Sequence, residues 1–201
     1  MKETNKNVRK RGNVLLESIY DATVEVIKKV GYANLTFQQI AKAAKTSRTV
    51  IYRRWATKFD LIREIKEYKK SIVLDGELFD KIQKTESLRE DLLQMITLYQ
   101  KVYMEVGHEI MSAFLFELSQ NNDKIAEIKI IAKEKNIMIM KKLLEFARER
   151  GDKIKKVSNE TLVLPFDLIR IENVMWKSEI DESRLASLVD EILLPVFREW
   201  L

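Results

Sequence analysis

Side chains able to read DNA are concentrated in residues 48–54, RTVIYRR. If this segment is a helix whose Ile51 faces a core, its outward side carries arginine, threonine and tyrosine. Arginine can donate two hydrogen bonds to guanine O6 and N7, a threonine methyl can contact the thymine methyl, and tyrosine can bond a phosphate. The pattern predicts a groove-reading surface, with the solvated face of a small helix as the alternative. The outward residues are Arg48, Thr49, Tyr52 and Arg53, with Val50 and Arg54 at the edges.

Hydrogen-bonding caps predict the helices that would position this surface. Thr36 and Gln39 have the spacing of a capping box, so a helix should begin near Phe37. Ser47 would cap the next helix, and Thr57 would cap a third. Three helix starts within such a short stretch indicate short, closely connected helices.

Apolar spacing predicts that the first two of these helices form a helix-turn-helix. The first helix has an apolar stripe at three- and four-residue spacing, and the second has Ile51 and Trp55 one turn apart. Only Lys45 and Thr46 precede the cap of the second helix, so the two helices must cross steeply. The stripe of the first helix comprises Phe37, Ile40, Ala41 and Ala44.

Positive charge is confined to the same end of the chain. Residues 1–60 contain 13 Lys or Arg and 5 Asp or Glu, whereas residues 61–201 contain 23 and 26. A basic segment raises affinity for phosphates through counterion release and speeds encounter with DNA. A membrane surface would attract the same charge, but the N-terminal helix lacks the strongly basic and broadly aromatic faces of a membrane-surface helix.

The run from residue 19 to residue 62 resembles the DNA-binding domain of TetR-family transcriptional regulators. The shared pattern is an apolar helix, Gly-Tyr, Thr, Ile-Ala, a turn, Ser, Tyr, an aromatic residue and Lys, and it covers about a fifth of the chain. The matching positions are Gly31, Tyr32, Thr36, Ile40, Ala41, Ala44, Ser47, Ile51, Tyr52, Trp55, Lys58, Leu61 and Ile62.

The resemblance implies roles for individual DNA contacts. Phosphate contacts are implied for Thr36, Tyr52 and Lys58. Contacts with base edges are implied for Gln38, Arg48 and Thr49. Either role suits Arg53 and Arg54, and Ser47 completes the predicted DNA-binding set.

Two residues depart from the family pattern. Lys45 stands where the turn usually has glycine, and a left-handed backbone there would cost of the order of 1 kcal/mol. A slightly different turn geometry is the alternative. Thr49 stands where many members have glycine, so the recognition helix presents an extra side chain and its operator should not be inferred from relatives.

The polar segment before the first helix, MKETNKNVRKRGN, lacks the apolar core of a signal peptide. It is either a disordered, solubilising terminus or an arm that follows the DNA backbone or enters the minor groove. Its basic residues are Lys2, Lys6, Arg9, Lys10 and Arg11.

Composition predicts an all-α protein. The chain has 201 residues, 46% of them hydrophobic, with only 5 Gly, 2 Pro and no Cys. The absence of cysteine excludes disulfides and thiolate metal sites, and no apolar run approaches the roughly 20 residues that span a bilayer. We expect a cytoplasmic protein with a basic arm and a three-helix helix-turn-helix domain at residues 1–60. A larger helical ligand-binding and dimerisation domain would follow at residues 61–201, with the linking helix starting near residue 58.

Caps and glycines divide the second domain into successive helices. One should run from about Lys58 toward Gln83. A capping box at Ser87 and Glu90 opens a helix that Gly107 interrupts. The remaining predicted helices cover about 108–119, 123–150, 158–177 and 182–200, and the last two contain Pro165 and Pro195.

The family resemblance implies that this domain binds a small ligand between its middle helices. The candidate contacts combine aromatic surface with hydroxyl groups that a dry core would have to satisfy. For each of these residues taken singly, ordinary core is the commoner role and remains the alternative. The candidates are Tyr99, Tyr103, Phe114 and Phe166.

A homodimer is expected because one recognition helix reads only a few base pairs, whereas a twofold dimer doubles the readout. The last two helices carry dense apolar stripes, which could close the monomer core, form the dimer interface, or do both. The interface candidates are Ile169, Trp176, Leu188, Ile192 and Val196.

The overall prediction is a dimeric, sequence-specific transcriptional regulator, a repressor that a small effector releases from double-stranded operator DNA. No metal site, cofactor or membrane partner is expected. A non-specific or ligand-independent DNA-binding protein is one alternative, and an all-helical enzyme is another. Catalysis is disfavoured because His108 is the only histidine and no nucleophile motif surrounds it.

Overall fold

The computed structural model of the chain describes residues 5–120, 123–176 and 180–199, with side chains described from residue 12 onward apart from those of 123, 124 and 176. Helices dominate the described residues, where the single β-bridge joins Ile154 and Arg198. The all-α prediction is confirmed. The helices are α1 (Asn5–Val30), α2 (Phe37–Ala43), α3 (Arg48–Arg54), α4 (Lys58–Val73), α5 (Leu78–Lys81), α6 (Leu88–Val106), α7 (His108–Ser119), α8 (Asp123–Glu149), α9 (Asn159–Ile171), α10 (Glu182–Ser187) and α11 (Leu194–Phe197).

Two π-helical segments continue the helices at the end of the chain. Glu172–Trp176 follows α9 directly, and Leu188–Leu193 joins α10 to α11. Pro165 lies inside α9, and Pro195 lies in the first turn of α11. Both prolines are therefore accommodated within helical segments, as the sequence indicates.

The described residues divide into two compact units. The first comprises the chain up to Glu67 together with Glu109–Glu117, and the second comprises Tyr68–His108 and the chain from Leu118 onward. The sequence-based division at residue 60 differs from this one, because it assigns residues 61–67 and all of α7 to the second domain.

The first unit has a small apolar core to which α1, α2, α3 and the start of α4 all contribute. α2 packs against α1 and against α3. Each helix buries one narrow stripe, as its amphipathic pattern requires. The most deeply buried side chains are those of Ile19, Leu35, Ile40, Ile51, Trp55, Leu61, Ile62 and Ile65.

The second unit has a larger core formed by α6, α8, α9 and the helices after residue 180. The buried carboxylate of Asp91 and the buried amides of Gln100 and Asn173 inside it are paired. The fully buried Asp91 accepts a bond from Arg150 Nη2 at 2.5 Å and one from the Thr85 hydroxyl at 2.8 Å. The buried amides of Gln100 and Asn173 bond each other reciprocally at 2.7 and 3.1 Å.

Three helix boundaries differ from the predictions. The helix predicted from Lys58 to Gln83 ends at Val73, because Gly76, with φ of 118°, reverses the chain before the short α5. The first helix begins at Asn5, inside the segment predicted to precede it. The last helix ends at Phe197, where Lys155 N donates to Phe197 O at 2.9 Å in place of further helical bonds.

Candidate nucleic-acid interface

Local caps build the helix-turn-helix as predicted. Gln39 N donates to Thr36 Oγ1 at 3.2 Å, and Thr36 N donates to Gln39 Oε1 at 2.8 Å, which completes the capping box. Ser47 Oγ accepts from Val50 N at 3.3 Å and begins α3. Thr57 and Asp60 cap α4 in the same reciprocal way, at 3.0 and 3.1 Å. These satisfied N–H groups determine where each short helix starts.

The turn between α2 and α3 has the left-handed backbone that the family pattern implies. Lys45 has φ of 52°, the only positive value among the described non-glycine residues. The turn closes through a bond from Thr46 N to Ala41 O at 2.9 Å. Lys45 therefore carries the conformational cost that glycine would avoid.

The recognition helix α3 is anchored by its inward side chains. Ile51 is fully buried, and Trp55, which caps its C-terminal end, is 2% exposed. Glu64 holds this end of the helix, because its carboxylate accepts from Trp55 Nε1 at 2.9 Å and from the Tyr20 hydroxyl at 2.7 Å. One carboxylate thus connects α1, the end of α3 and α4.

Arg48 and Tyr52 form a preorganised pair on the outward face of α3. Arg48 Nη2 donates to the Tyr52 hydroxyl at 3.0 Å, and its guanidinium lies 4.9 Å from the ring centroid. The Tyr52 ring packs edge-on against Phe37 at 4.9 Å, while 48% of its surface stays exposed. Both side chains are therefore held in place yet accessible.

The nine predicted DNA-binding residues fall into two groups. Most are exposed, namely Thr36, Gln38, Ser47, Arg48, Thr49, Tyr52 and Arg53. Arg54 is exposed but lies 3.7 Å from Glu64 and 5.6 Å from the centroid of the Trp55 ring. Lys58 is half-buried, with Nζ 5.0 Å from the centroid of the Tyr32 ring.

Sequence reasoning assigned no role to Glu64 or Glu117. Glu64 bonds Tyr20 across 44 positions of sequence, and Glu117 accepts from the Tyr32 hydroxyl at 2.6 Å across 85 positions. A carboxylate on a helix has no sequence signal for such distant partners.

The basic arm extends into α1, which starts at Asn5, and its side chains up to Arg11 lie outside the described residues.

Three of the four ligand candidates lie in the second unit. The Tyr99 ring packs edge-on against the fully buried Phe166 at 5.2 Å. Tyr103 is 4% exposed, and its hydroxyl has no hydrogen-bond partner among the described residues. Burial is the main cause that raises the pKa of Tyr103 to about 12, so the hydroxyl remains a donor. Phe114 instead belongs to the first unit, where its ring stacks on that of Phe59 at 5.8 Å.

The interface candidates differ in exposure. Ile169 and Leu188 are fully buried within the single chain, whereas Ile192 and Val196 are half-buried. The side chain of Trp176 lies outside the described residues.

His108 begins α7 and is half-buried. Among the described residues, no cluster of three or more His, Cys, Asp or Glu could hold a metal ion.

The part of the chain that contains this interface matches a known family model. Residues 19–65, from α1 into α4, match the model of the bacterial regulatory proteins of the tetR family. The chain is a TetR-family transcriptional regulator. The family prediction is thereby confirmed, and with it DNA binding and transcription regulation.

Relatives of this TetR-family regulator align along most of its length. An HTH-type transcriptional regulator of Mycobacterium tuberculosis is 26% identical over 182 residues, covering 86% of this chain and 83% of its own. A regulatory protein of the tetR family from Rhodococcus RHA1 superposes with a TM-score of 0.72 at 17% identity, covering 93% and 98%. AibR in complex with isovaleryl coenzyme A and operator DNA superposes at 0.64 and 15% identity, covering 92% and 100%.

No described helix of this TetR-family regulator is both long enough and apolar enough to cross a membrane.

Proposed function

We propose that this TetR-family regulator is a homodimeric repressor that binds a twofold operator and that a small effector releases. The observation that carries the proposal is the exposed Arg48–Tyr52 pair on a helix whose opposite side is anchored by Ile51 and Trp55. A helix held this way presents fixed donors to base edges and phosphates. Ordering of these outward side chains has no role on a helix that faces only solvent.

Each exposed residue of the interface suits a specific type of DNA contact. Arg48 can donate two hydrogen bonds to guanine, and Thr49 can contact a thymine methyl group. Gln38 can form hydrogen bonds with adenine. The Ser47 hydroxyl accepts from a backbone N–H at the start of α3, so its proton can be donated to a phosphate. The Thr36 hydroxyl donates to Gln39 Oε1 at 2.9 Å and would exchange that bond for one to a phosphate. Tyr52, Arg53 and Lys58 complete the phosphate contacts. Arg54 contributes a weaker one, because Glu64 already neutralises part of its charge.

Apolar surface on the last helices supports a homodimer. Ile171 and Met175 are 55% and 65% exposed, and the predicted interface residues Ile192 and Val196 keep part of their surface open. Covering such side chains in a second copy would bury apolar area that a single chain leaves in water. Ile169 and Leu188 support these surfaces from within the core.

The unpartnered Tyr103 hydroxyl supports an effector site between α6 and α9. A buried hydroxyl without a partner costs free energy that a ligand acceptor atom would recover. Tyr99 and Phe166 supply adjoining aromatic surface, and the positive charge of Arg170 acts on the Tyr103 hydroxyl. The complex of AibR with isovaleryl coenzyme A is consistent with an effector that has an acyl group and acceptor oxygens.

DNA binding at this face is tested by replacing Arg48 or Tyr52 with alanine. We expect R48A to bind a duplex from upstream of its own gene at least about fivefold more weakly, since a bidentate base contact is worth about 1–3 kcal/mol. Y52A should also bind it more weakly, because it loses a phosphate contact and the hydroxyl that accepts from Arg48. Binding is measured by fluorescence anisotropy in competition with a mixed-sequence duplex.

Arg148→Ala is the matched control, because Arg148 is half-exposed on α8 and its ion pair among the described residues is with Glu145, one turn earlier. It should bind like the wild type. Equal affinity of R48A and the wild type for the upstream duplex would refute this docking. Equal affinity of the wild type for both duplexes would instead indicate non-specific binding.

Dimerisation is tested by placing glutamate at Ile192 or Val196. A charge in the centre of an apolar interface should shift the protein toward monomer in sedimentation velocity. Glutamate at Ile130, an exposed residue of α8 that the proposed interface omits, is the control. Unchanged dimer content in I192E and V196E would place the interface elsewhere.

A further inference from the structure

The first unit includes one stretch of α7, Glu109–Glu117, that lies far along the sequence from the helix-turn-helix. Within the unit, the Phe114 ring stacks on Phe59 at 5.8 Å with the ring planes 25° apart. Lys66 Nζ lies 4.9 Å from the centroid of the Phe114 ring. This stretch of α7 therefore contacts the first three turns of α4 directly.

The same stretch also holds Tyr32, in the loop between α1 and α2. The Tyr32 hydroxyl donates to Glu117 Oε1 at 2.6 Å, and the Phe116 ring packs edge-on against the Tyr32 ring at 5.9 Å. Burial, followed by the bond to Glu117, raises the pKa of Tyr32. The hydroxyl therefore stays protonated and remains a donor to the carboxylate.

Tyr32 in turn holds Lys58, the first residue of α4. Lys58 Nζ lies 5.0 Å from the centroid of the Tyr32 ring and donates to the Tyr32 carbonyl oxygen at 3.5 Å. Lys58 has no carboxylate partner among the described residues. Its ammonium is thus kept in one place by an aromatic face and a carbonyl, and its positive charge is not neutralised.

We propose that Tyr32 is a positioning residue for the phosphate contact of Lys58, and that Glu117 of α7 fixes Tyr32 for this purpose. The proposal rests on the proposed function, in which Lys58 binds a DNA phosphate.

The physical reason is preorganisation. A lysine has a flexible four-carbon stem, so an unrestrained ammonium loses rotamer freedom when it binds a phosphate. The Tyr32 ring restricts that freedom before DNA arrives, and the Glu117 bond restricts the ring. A shift of α7 along or about its axis would move Glu117, so the strength of the Lys58 contact depends on the position of α7.

The test is a set of double-mutant cycles on a mixed-sequence DNA duplex. Tyr32→Phe keeps the ring and removes the hydroxyl, and Glu117→Ala removes the acceptor. We expect each to weaken binding about threefold to tenfold, with no further loss when the two are combined. In a Lys58→Ala background, neither Y32F nor E117A should change the affinity for the duplex. K58A itself should reduce the steepness of the plot of log affinity against log salt concentration by about 0.9.

Glu117→Gln separates positioning from net charge. Glutamine keeps an acceptor oxygen for the Tyr32 hydroxyl but removes the negative charge, so E117Q should bind at least as well as the wild type while E117A does not. Circular dichroism at the assay temperature confirms that each variant is folded.

Losses from Y32F and E117A that persist in the K58A background would overturn the proposal, because they would act independently of Lys58. Equal binding by E117A and E117Q would overturn it as well. If K58A binds the mixed-sequence duplex like the wild type while R48A binds the upstream duplex more weakly, the positioning role fails and the DNA-binding face stands. If R48A also binds the upstream duplex like the wild type, the proposed function fails.

Discussion

The starts of the short helices in the first unit and the packing of the long helices in the second depend on interactions of very different range. In the first unit, the reading helix α3 has seven residues with one buried side chain, and caps three residues apart decide where α2, α3 and α4 begin. In the second unit, the long helix α6 is joined to the residue that directly follows α8 by the bond Arg150–Asp91, which spans 59 positions. Local caps leave the outward residues of α3 free to vary, whereas buried long-range bonds constrain both partners.

The sharpest test of this difference is Asp91→Ala in the second unit. The change removes the buried partner of the Arg150 guanidinium, which is left with the longer contact of its Nε to Asp152 at 3.4 Å, and it removes the acceptor of Thr85 N. Breaking a buried pair on one side typically costs about 3–5 kcal/mol of the free energy of unfolding. Urea denaturation followed by circular dichroism measures this cost.

Two control variants complete that test. Asp190→Ala removes an equally well-formed bond to Arg89, but both side chains are 43% exposed, so the cost should be below about 1 kcal/mol. Thr57→Ala removes a helix cap in the first unit and should cost about 1 kcal/mol. If T57A destabilised the protein as strongly as D91A, the contrast between local and long-range stabilisation would not hold.

An intermediate effect is expected from removing a tyrosine hydroxyl in each unit. Tyr103→Phe should raise the free energy of unfolding by about 1–3 kcal/mol, because the hydroxyl is buried without a partner in the described chain. It should also weaken the effector response, since the proposed donor is lost. Differential scanning calorimetry without effector and operator release with effector measure the two quantities.

Tyr20→Phe is the matched change in the first unit and should have the opposite sign. Its hydroxyl donates to Glu64 at 2.7 Å, so its loss should lower the free energy of unfolding by about 1.5 kcal/mol. A destabilised Y103F would mean that the hydroxyl already has a partner, such as a bound water, and would remove the argument for a ligand acceptor there.

The smallest effect is expected at the turn between α2 and α3. Lys45→Gly should raise the free energy of unfolding by about 0.5–1 kcal/mol, because glycine relieves the left-handed backbone at a smaller entropic cost. Ala44→Gly is the control, since Ala44 has φ of −76° and gains nothing from glycine. Thermal unfolding should rank K45G above the wild type and A44G below it. The reverse order would show that the turn is not strained at Lys45.

Sequence alone predicted the parts of the fold that local chemistry decides. The caps at Thr36, Ser47 and Thr57 were predictable because donor and acceptor lie within three residues of each other. The end of α4 was missed, because Asp75-Gly76 interrupts an otherwise continuous helical pattern. The Asp-Gly pair is itself a turn signal that predicts the end of α4.

The candidate sites were predictable only where a residue faces outward from a short helix. The exposed positions of α3 follow from Ile51 and Trp55 as the buried pair. In contrast, Phe114 and Glu117 occupy the first unit because α7 packs there, which no periodicity reveals. The π-helical segment Leu188–Leu193 also changes the phase of the last helix, so a uniform helical period misjudges which side of it is exposed.

The reciprocal amide pair of Gln100 and Asn173 has a practical consequence for handling the protein. Neither amide carries a charge, and both are buried, so dissolved ions barely affect their mutual bonds. The affinity for DNA, by comparison, depends on arginine and lysine side chains and falls steeply as ionic strength rises. Concentrated sodium chloride should therefore elute the protein from a heparin or DNA column with its second unit still folded, ready for ligand screening without nucleic acid.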